Sequence, residues 1–296
     1  MERCTLEKEG FIANYYSGNY DTDKAIISVG GASCDEKTSI AMAEFLIKEG
    51  YNVLVLGFYL WNGLSNKLAS IQVDYVEKAV HWLLDKKGVK KIAMTGISTG
   101  SGYTLLSASL IPEITCVIPV VPYDHVLEGT TKNNKRLYCS VYTWHGEDIP
   151  YTPTEFLDMG MMVWLRRAKK AQGYGLTRFM RYGYDQLTPK LTPESRIRTE
   201  NMNADVLLLA VKNDDFWPSD EAVPRIVDNL KISNYAHRVE YHIYEKASHA
   251  LTAAKIGFIP RTLIKLIIPA EKKYPKECDE ARTDSVQRIL KFLKEW

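Results

Sequence analysis

The residues best suited to chemistry are Gly96-Ile97-Ser98-Thr99-Gly100, which follow the strand-like run Lys91-Ile92-Ala93-Met94-Thr95 and precede a helix-like stretch. That is the setting of a nucleophile elbow, a sharp strand-to-helix turn that exposes a serine hydroxyl. The flanking glycines suit a turn where backbone and helix come too close to admit a Cβ. Ser98 is therefore the expected nucleophile.

A serine hydroxyl is weakly nucleophilic at neutral pH, so it needs an imidazole to take its proton and a carboxylate to orient that imidazole. On a sheet of this kind the three follow in the order serine, acid, histidine. The apolar run Val206 to Val211 leads into Lys212-Asn213-Asp214-Asp215-Phe216-Trp217-Pro218-Ser219. An acid there sits at the carboxyl end of a strand, where open α/β sheets build their sites. Asp214, three residues past the run and four before Pro218, is favoured over Asp215, which can cap or face water. Among the histidines, His81 lies in a helical pattern, His125 and His145 lie between the strand patterns, and His237 and His242 precede or enter one. His249, in Glu245-Lys246-Ala247-Ser248-His249-Ala250, falls in a small-residue loop at the place the order requires, and is the expected base.

Acyl chemistry also needs two N–H donors for an oxyanion, one from the residue after the nucleophile and one from the loop after the first strand. Thr99 supplies the first, and Ala32 in Val29-Gly30-Gly31-Ala32-Ser33 the second, with Gly31 as the alternative. A Gly-Gly pair also suits a tight turn or a phosphate loop. The dinucleotide pattern G-x-G-x-x-G is missing from this turn, so no cofactor is expected.

These residues need a sheet to hold them. Short apolar runs at Ala25–Val29, Asn52–Leu56, Lys91–Thr95 and Thr115–Val121 alternate with helical patterns near 36–49, 71–88 and 99–111. Such alternation reads as a mostly parallel sheet covered on both faces. It stops until Asp205, then resumes with Asp205–Val211, a helix after Ser219, a strand at Arg238–Tyr244 and a last helix near Glu280–Lys294. Pro224 predicts a later start or a kink for the helix after Ser219. The interruption is too long for a structureless loop. It reads as a cap, residues 123–204, inserted in one α/β domain spanning 1–296. Its helical pattern carries Phe156, Leu157, Met161, Met162 and Trp164, of which the methionines and the tryptophan either line an acyl pocket or simply pack the cap against the core.

The 38 basic and 36 acidic residues give a net charge of +2 and no field suited to nucleic acid. Cys4, Cys34, Cys116, Cys139 and Cys278 form no C-x-x-C pair, so neither a disulfide framework nor a zinc site is expected. Free thiols suggest a reducing compartment. With no apolar signal core and no run long enough for a membrane span, the expectation is a soluble cytoplasmic protein acting on a small molecule, without metal.

Three stretches are more specific than the elbow: Ile71 to Ala79, Tyr142 to Tyr151, and Glu194-Ser195-Arg196-Ile197 followed by the Asp214 loop. Through them, across roughly residues 25 to 293, the chain resembles the catalytic domain of acyl-CoA thioesterases and bile acid-CoA:amino acid N-acyltransferases. The resemblance implies an α/β-hydrolase fold and a triad of Ser98, Asp214 and His249 acting on an acyl thioester. The acyl group would pass to Ser98 and then to an acceptor. Members that conjugate amino acids carry cysteine as nucleophile, so serine points to water as acceptor. Oxygen-ester hydrolysis of the dienelactone-hydrolase kind, N-acyl transfer and a catalytically silent binding protein are the alternatives.

Two features depart from the family. Its longer members have an N-terminal β-sandwich domain, which this sequence, starting close to the hydrolase core, is expected to lack. Val211 stands where the acid loop more often begins with glycine, and Ile256 to Lys276 is expected to add a pocket wall. If the ester is a CoA ester, its phosphates need cations. Lys132, Lys135 and Arg136, or Arg166, Arg167, Lys169 and Lys170, or Lys272 and Lys273 could serve, although solvated faces explain such clusters equally well.

Overall fold

The computed structural model describes residues 1–171, 178–251 and 268–296. The chain opens with β1 (Glu2–Cys4) and β2 (Ile12–Tyr16), two antiparallel strands that its periodicity did not announce. Their apolar signal is short, and in β2 it is broken by Asn14, which is buried and donates to Glu36 at 2.7 Å. The expected alternation follows: β3 (Lys24–Val29), α1 (Glu36–Lys48), β4 (Asn52–Gly57), a two-residue β5 (Ile71–Gln72), α2 (Asp74–Lys87), β6 (Lys91–Ile97), α3 (Thr99–Leu110) and β7 (Ile114–Val120). Asp35 starts α1 by accepting the Thr38 N–H at 2.8 Å, which satisfies one of the donors a helix start leaves open.

Between residues 121 and 204 the chain builds more extended structure than the helical pattern suggested. Short strands β8 (Glu128–Thr130), β9 (Arg136–Ser140), β10 (Tyr142–Trp144) and β11 (Glu147–Asp148) come first. Then come a single-turn helix at Glu155–Met159 and the helices α4 (Met161–Lys170) and α5 (Phe179–Leu187). The buried Glu128 carboxylate joins these pieces. It accepts Arg136 Nε at 2.7 Å, the Tyr138 N–H at 3.0 Å and the Thr154 N–H at 2.8 Å.

The main sheet is completed by β12 (Asp205–Asn213) and β13 (Val239–Ser248), with α6 (Ser219–Ile232) between them. A short α7 (Pro269–Lys273) and α8 (Pro275–Glu295) close the described chain. α6 starts at Ser219 and contains Pro224, which has no N–H to give the Asp220 carbonyl.

The eight strands lie in the order β1-β2-β4-β3-β6-β7-β12-β13, and all pairs from β4 to β13 are parallel. Successive side chains enter opposite faces. Ile27, Leu54, Met94 and Leu208 pack with Val80 of α2, Leu105 of α3 and Ile226 of α6. Ile26, Val53, Ala93 and Leu209 pack with Leu46 of α1 and Phe292 of α8. Burial on both sides explains why the central strands read as unbroken apolar runs. Their carboxyl ends at Val29, Ile97, Asn213 and Ser248 all deliver loops to one edge, where the candidate site forms.

Candidate active site

Ser98 sits between β6 and α3 with φ 57° and ψ −124°, a backbone state rare for a residue with a side chain. Strain of this kind costs on the order of 1–3 kcal/mol and persists only where the surroundings hold it. Here the Ser98 N–H donates to the Val120 carbonyl at 3.0 Å, and the Ser98 carbonyl accepts the Ser101 N–H at 2.9 Å. The two glycines are sterically required. A Cβ on Gly96 would stand 2.3 Å from the Gly100 carbonyl oxygen, and one on Gly100 would stand 2.1 Å from that of Gly30.

β12 and β13 bring the partners. Asn213 pairs in register with Ser248, so the residues just beyond, Asp214 and His249, leave the sheet side by side. His249 Nε2 lies 2.8 Å from Ser98 Oγ, and its Nδ1 lies 2.7 Å from Asp214 Oδ1. With Nδ1–H donating to the carboxylate, Nε2 is left to accept the serine proton. Asp214 is fully buried and both its oxygens accept hydrogen bonds: Oδ1 also accepts the Phe216 and Trp217 N–H groups at 3.0 and 3.3 Å, and Oδ2 accepts the Ser219 hydroxyl at 2.7 Å. Phe216 stacks obliquely on the imidazole at 4.6 Å between centroids, and Trp217 meets it edge-on at 5.7 Å.

Asp215 faces elsewhere. Its Oδ1 lies 3.0 Å from Arg178 Nε. Burial pushes its carboxyl up to about 6; Arg178 opposes the rise and the neighbouring Asp214 charge adds to it. Of the two acids, the structure brings Asp214 to the histidine.

Above Ser98 opens a cavity of about 350 Å³, lined mainly by apolar side chains. Thr99, the first residue of α3, and Ala32 both border it. Helix N-termini carry unpaired N–H groups and a partial positive charge, suited to an oxyanion. Gly31, the alternative to Ala32, lies against the elbow, where an added Cβ would be 3.3 Å from that of Ser98.

Phe156 and Leu157 line the cavity, a role the sequence offers to the methionines and Trp164 of this stretch. Met162 instead is 67% exposed, and Trp164 stacks on Phe156 at 5.0 Å behind the wall. For Trp164 the packing role is the one observed. The side chain of Met161 lies outside the described residues. So does most of the expected wall at Ile256 to Lys276, of which residues 268–276 are described.

Arg136 is engaged by Glu128 and Asp158, whereas Arg166, Arg167, Lys169 and Lys170 stand exposed on α4. Lys132, Lys135, Lys272 and Lys273 are exposed too, and none of these cations is among the described residues lining the cavity. Asp74, Glu77 and His145 place ligand-type atoms within 4.8 Å of one another at the start of α2. Within this cluster Asp74 and His145 are joined directly. Asp74 accepts the His145 N–H at 3.2 Å and faces its Nδ1 at 3.3 Å, at a helix end that favours carboxylates.

Residues 71–295 match the family described as BAAT / Acyl-CoA thioester hydrolase C terminal. The chain belongs to this family. Among curated relatives of this thioester hydrolase domain, a mouse peroxisomal succinyl-coenzyme A thioesterase is 24% identical over 90% of the chain and 58% of its own length. A rat acyl-coenzyme A thioesterase 1 is 23% identical over 79% of the chain and 52% of its own length. The chain thus spans little more than half of either relative.

Solved structures agree on the α/β-hydrolase fold. A Klebsiella pneumoniae protein assigned as a dienelactone hydrolase superposes with TM-score 0.54 at 13% identity, covering 100% of this chain and 98% of its own. A Pyrococcus furiosus esterase gives 0.51 at 17%, covering 100% and 97%.

Several residues of the candidate site were not singled out as site residues by the sequence pattern. Tyr142 donates its hydroxyl to the Thr99 carbonyl at 2.9 Å, bracing the residue after Ser98. Met180 and Tyr184 of α5 line the cavity, as do Tyr123 and His125, whose Nδ1 is 3.1 Å from Asp124. Ser219 lay in a recognised motif, but its bond to Asp214 is a tertiary fact.

Proposed function

We propose that this chain is a serine hydrolase of acyl thioesters of the acyl-CoA class, with Ser98 as nucleophile, His249 as base and Asp214 as orienting acid. The observation that carries the reading is the hydrogen-bonded series Ser98–His249–Asp214, at 2.8 and 2.7 Å, whose Ser98 lines a largely apolar cavity. Membership of the thioester hydrolase family supports the thioester, and serine as nucleophile supports water as final acceptor.

Ser98 Oγ attacks the thioester carbonyl carbon while its proton passes to His249 Nε2. The new oxyanion is stabilised by the N–H groups of Thr99 and Ala32, and the buried Asp214 charge by the imidazolium beside it. Collapse breaks the C–S bond, and His249 gives its proton to the departing thiolate. Water, deprotonated by His249, then attacks the acyl-serine carbonyl and releases the acid with Ser98 restored. The apolar cavity takes up the acyl chain. Substrate is a small molecule, and the five cysteines, all unpaired, support a reducing compartment such as the cytoplasm. Among the described residues no helix is long and apolar enough to cross a membrane.

The test combines fluorophosphonate labelling with turnover. Labelling should map to Ser98 and vanish in S98A, and acyl-CoA should be cleaved with a higher kcat/KM than the p-nitrophenyl ester of the same chain. A preference for the oxygen ester would replace the thioester assignment, and amide formation with added glycine or taurine would replace water as acceptor.

A further inference from the structure

We propose that Arg181 is a positioning residue for the catalytic acid, and that through it the acyl chain in the cavity sets the rate at Ser98. The proposal rests on the triad reading above. α5 has two working sides. On one, Met180 and Tyr184 line the cavity, and Tyr184 meets Trp217 of the acid loop edge-on at 5.7 Å. On the other, Arg181 is bound to the acid loop itself.

Arg181 is 7% exposed. Its backbone N–H donates to the Asp215 carbonyl at 3.2 Å, and its Nη1 donates to the Asp214 carbonyl at 3.3 Å. The guanidinium plane is fixed by Asp185 on Nε at 2.7 Å, Glu221 on Nη2 at 2.8 Å and Asp220 beside Nη1 at 3.5 Å. A planar fork with five donors can hold two α6 carboxylates, its own helix and a loop carbonyl together, which an ammonium cannot do with the same geometry. The three acids also offset the cost of burying the cation.

The Asp214 side chain already ties its loop inward through Phe216, Trp217 and Ser219. Arg181 adds the outward tie, at the carbonyl of the catalytic acid itself. An acyl chain long enough to touch Met180 and Tyr184 gains those contacts only when α5 is docked on this loop. Binding energy remote from the carbonyl is thereby converted into alignment of Asp214 with His249. A short acyl group leaves those contacts unused.

The experiment uses the whole chain with two probes, an ethyl and a decyl fluorophosphonate, and measures kinact and KI for Ser98 phosphonylation. In the unaltered protein the decyl probe should raise kinact by roughly tenfold over the ethyl probe as well as lower KI. In R181M the kinact ratio should fall to within about twofold of unity while the decyl advantage in KI persists, and R181K should recover part of the ratio. M180A keeps the clamp and removes one chain contact, so it should reduce the same ratio even if R181M proves poorly folded. A role confined to holding the fold would lower the amount of reactive protein without changing the ratio. An R181M or M180A ratio equal to that of the unaltered protein, or an unaltered ratio near unity, overturns the proposal. Absence of any Ser98 labelling by either probe overturns the triad reading beneath it.

Discussion

Replacing Asp214 by Asn tests the acid with little disturbance of shape. The Asn carbonyl can still accept from His249 Nδ1, Phe216 N–H and Trp217 N–H, and its NH₂ would face the Ser219 hydroxyl, 2.7 Å from Asp214 Oδ2, which can accept as readily as it donates. What disappears is the negative charge opposite the imidazolium that forms as Ser98 attacks. Two unit charges about 4 Å apart interact by about 4 kcal/mol at an effective dielectric constant near 20. At 1.36 kcal/mol per decade, kcat should fall on the order of 10³-fold. The assay is kcat for thiol release from a decanoyl-CoA ester, normalised to folded protein by circular dichroism. D215N, measured beside it, should keep kcat within about threefold, because Asp215 faces Arg178 and not the histidine. A D214N enzyme that is folded and within tenfold of the unaltered one would refute the assignment, and a thousandfold loss in D215N would transfer it to Asp215.

The same D215N variant has a pH signature. Burial holds the Asp215 carboxyl at about 6 against an ordinary 3.8, so between those values the folded state binds the extra proton and stability falls as pH rises. The cost is complete above about pH 6, and the Tm of D215N relative to the unaltered protein should therefore increase from pH 4 to pH 6.5, as calorimetry can check. Leu157→Trp should reduce kcat/KM for decanoyl-CoA by more than about tenfold while sparing acetyl-CoA, because the indole fills the acyl cavity. Equal losses for both esters would remove Leu157 from the chain-binding wall. Gly100→Ala should lower stability by at least about 1–3 kcal/mol in urea unfolding, since its Cβ would meet the Gly30 carbonyl oxygen at 2.1 Å.

Much of the fold could be read from the chain because the central strands are buried on both faces and therefore show as apolar runs. β1 and β2 escaped because an edge strand of three residues and one interrupted by a buried asparagine carry little periodicity. The contents of the region from 121 to 204 were not legible in the sequence. Its strands are two to five residues long and are held by contacts far along the chain, such as β10 on β5. The wall formed by Met180 and Tyr184 was missed for the same reason, while Met162 and Trp164, which looked suited to it, face solvent and the cap interior.

By itself the sequence pointed to Ser98, an acid of the Asp214 loop and His249 in that order, to the strand ends that carry them, and to the glycines that allow the elbow, because these depend on neighbours in the chain. Between Asp214 and Asp215 it could only lean by spacing, since adjacent residues of a loop share their local signals. The tertiary structure brings Asp214, and not Asp215, to His249. The parallel register that sets Asn213 opposite Ser248 fixes where the loop leaves the sheet, and burial then gives Asp214 the donors of Phe216, Trp217, Ser219 and His249, leaving Asp215 to Arg178.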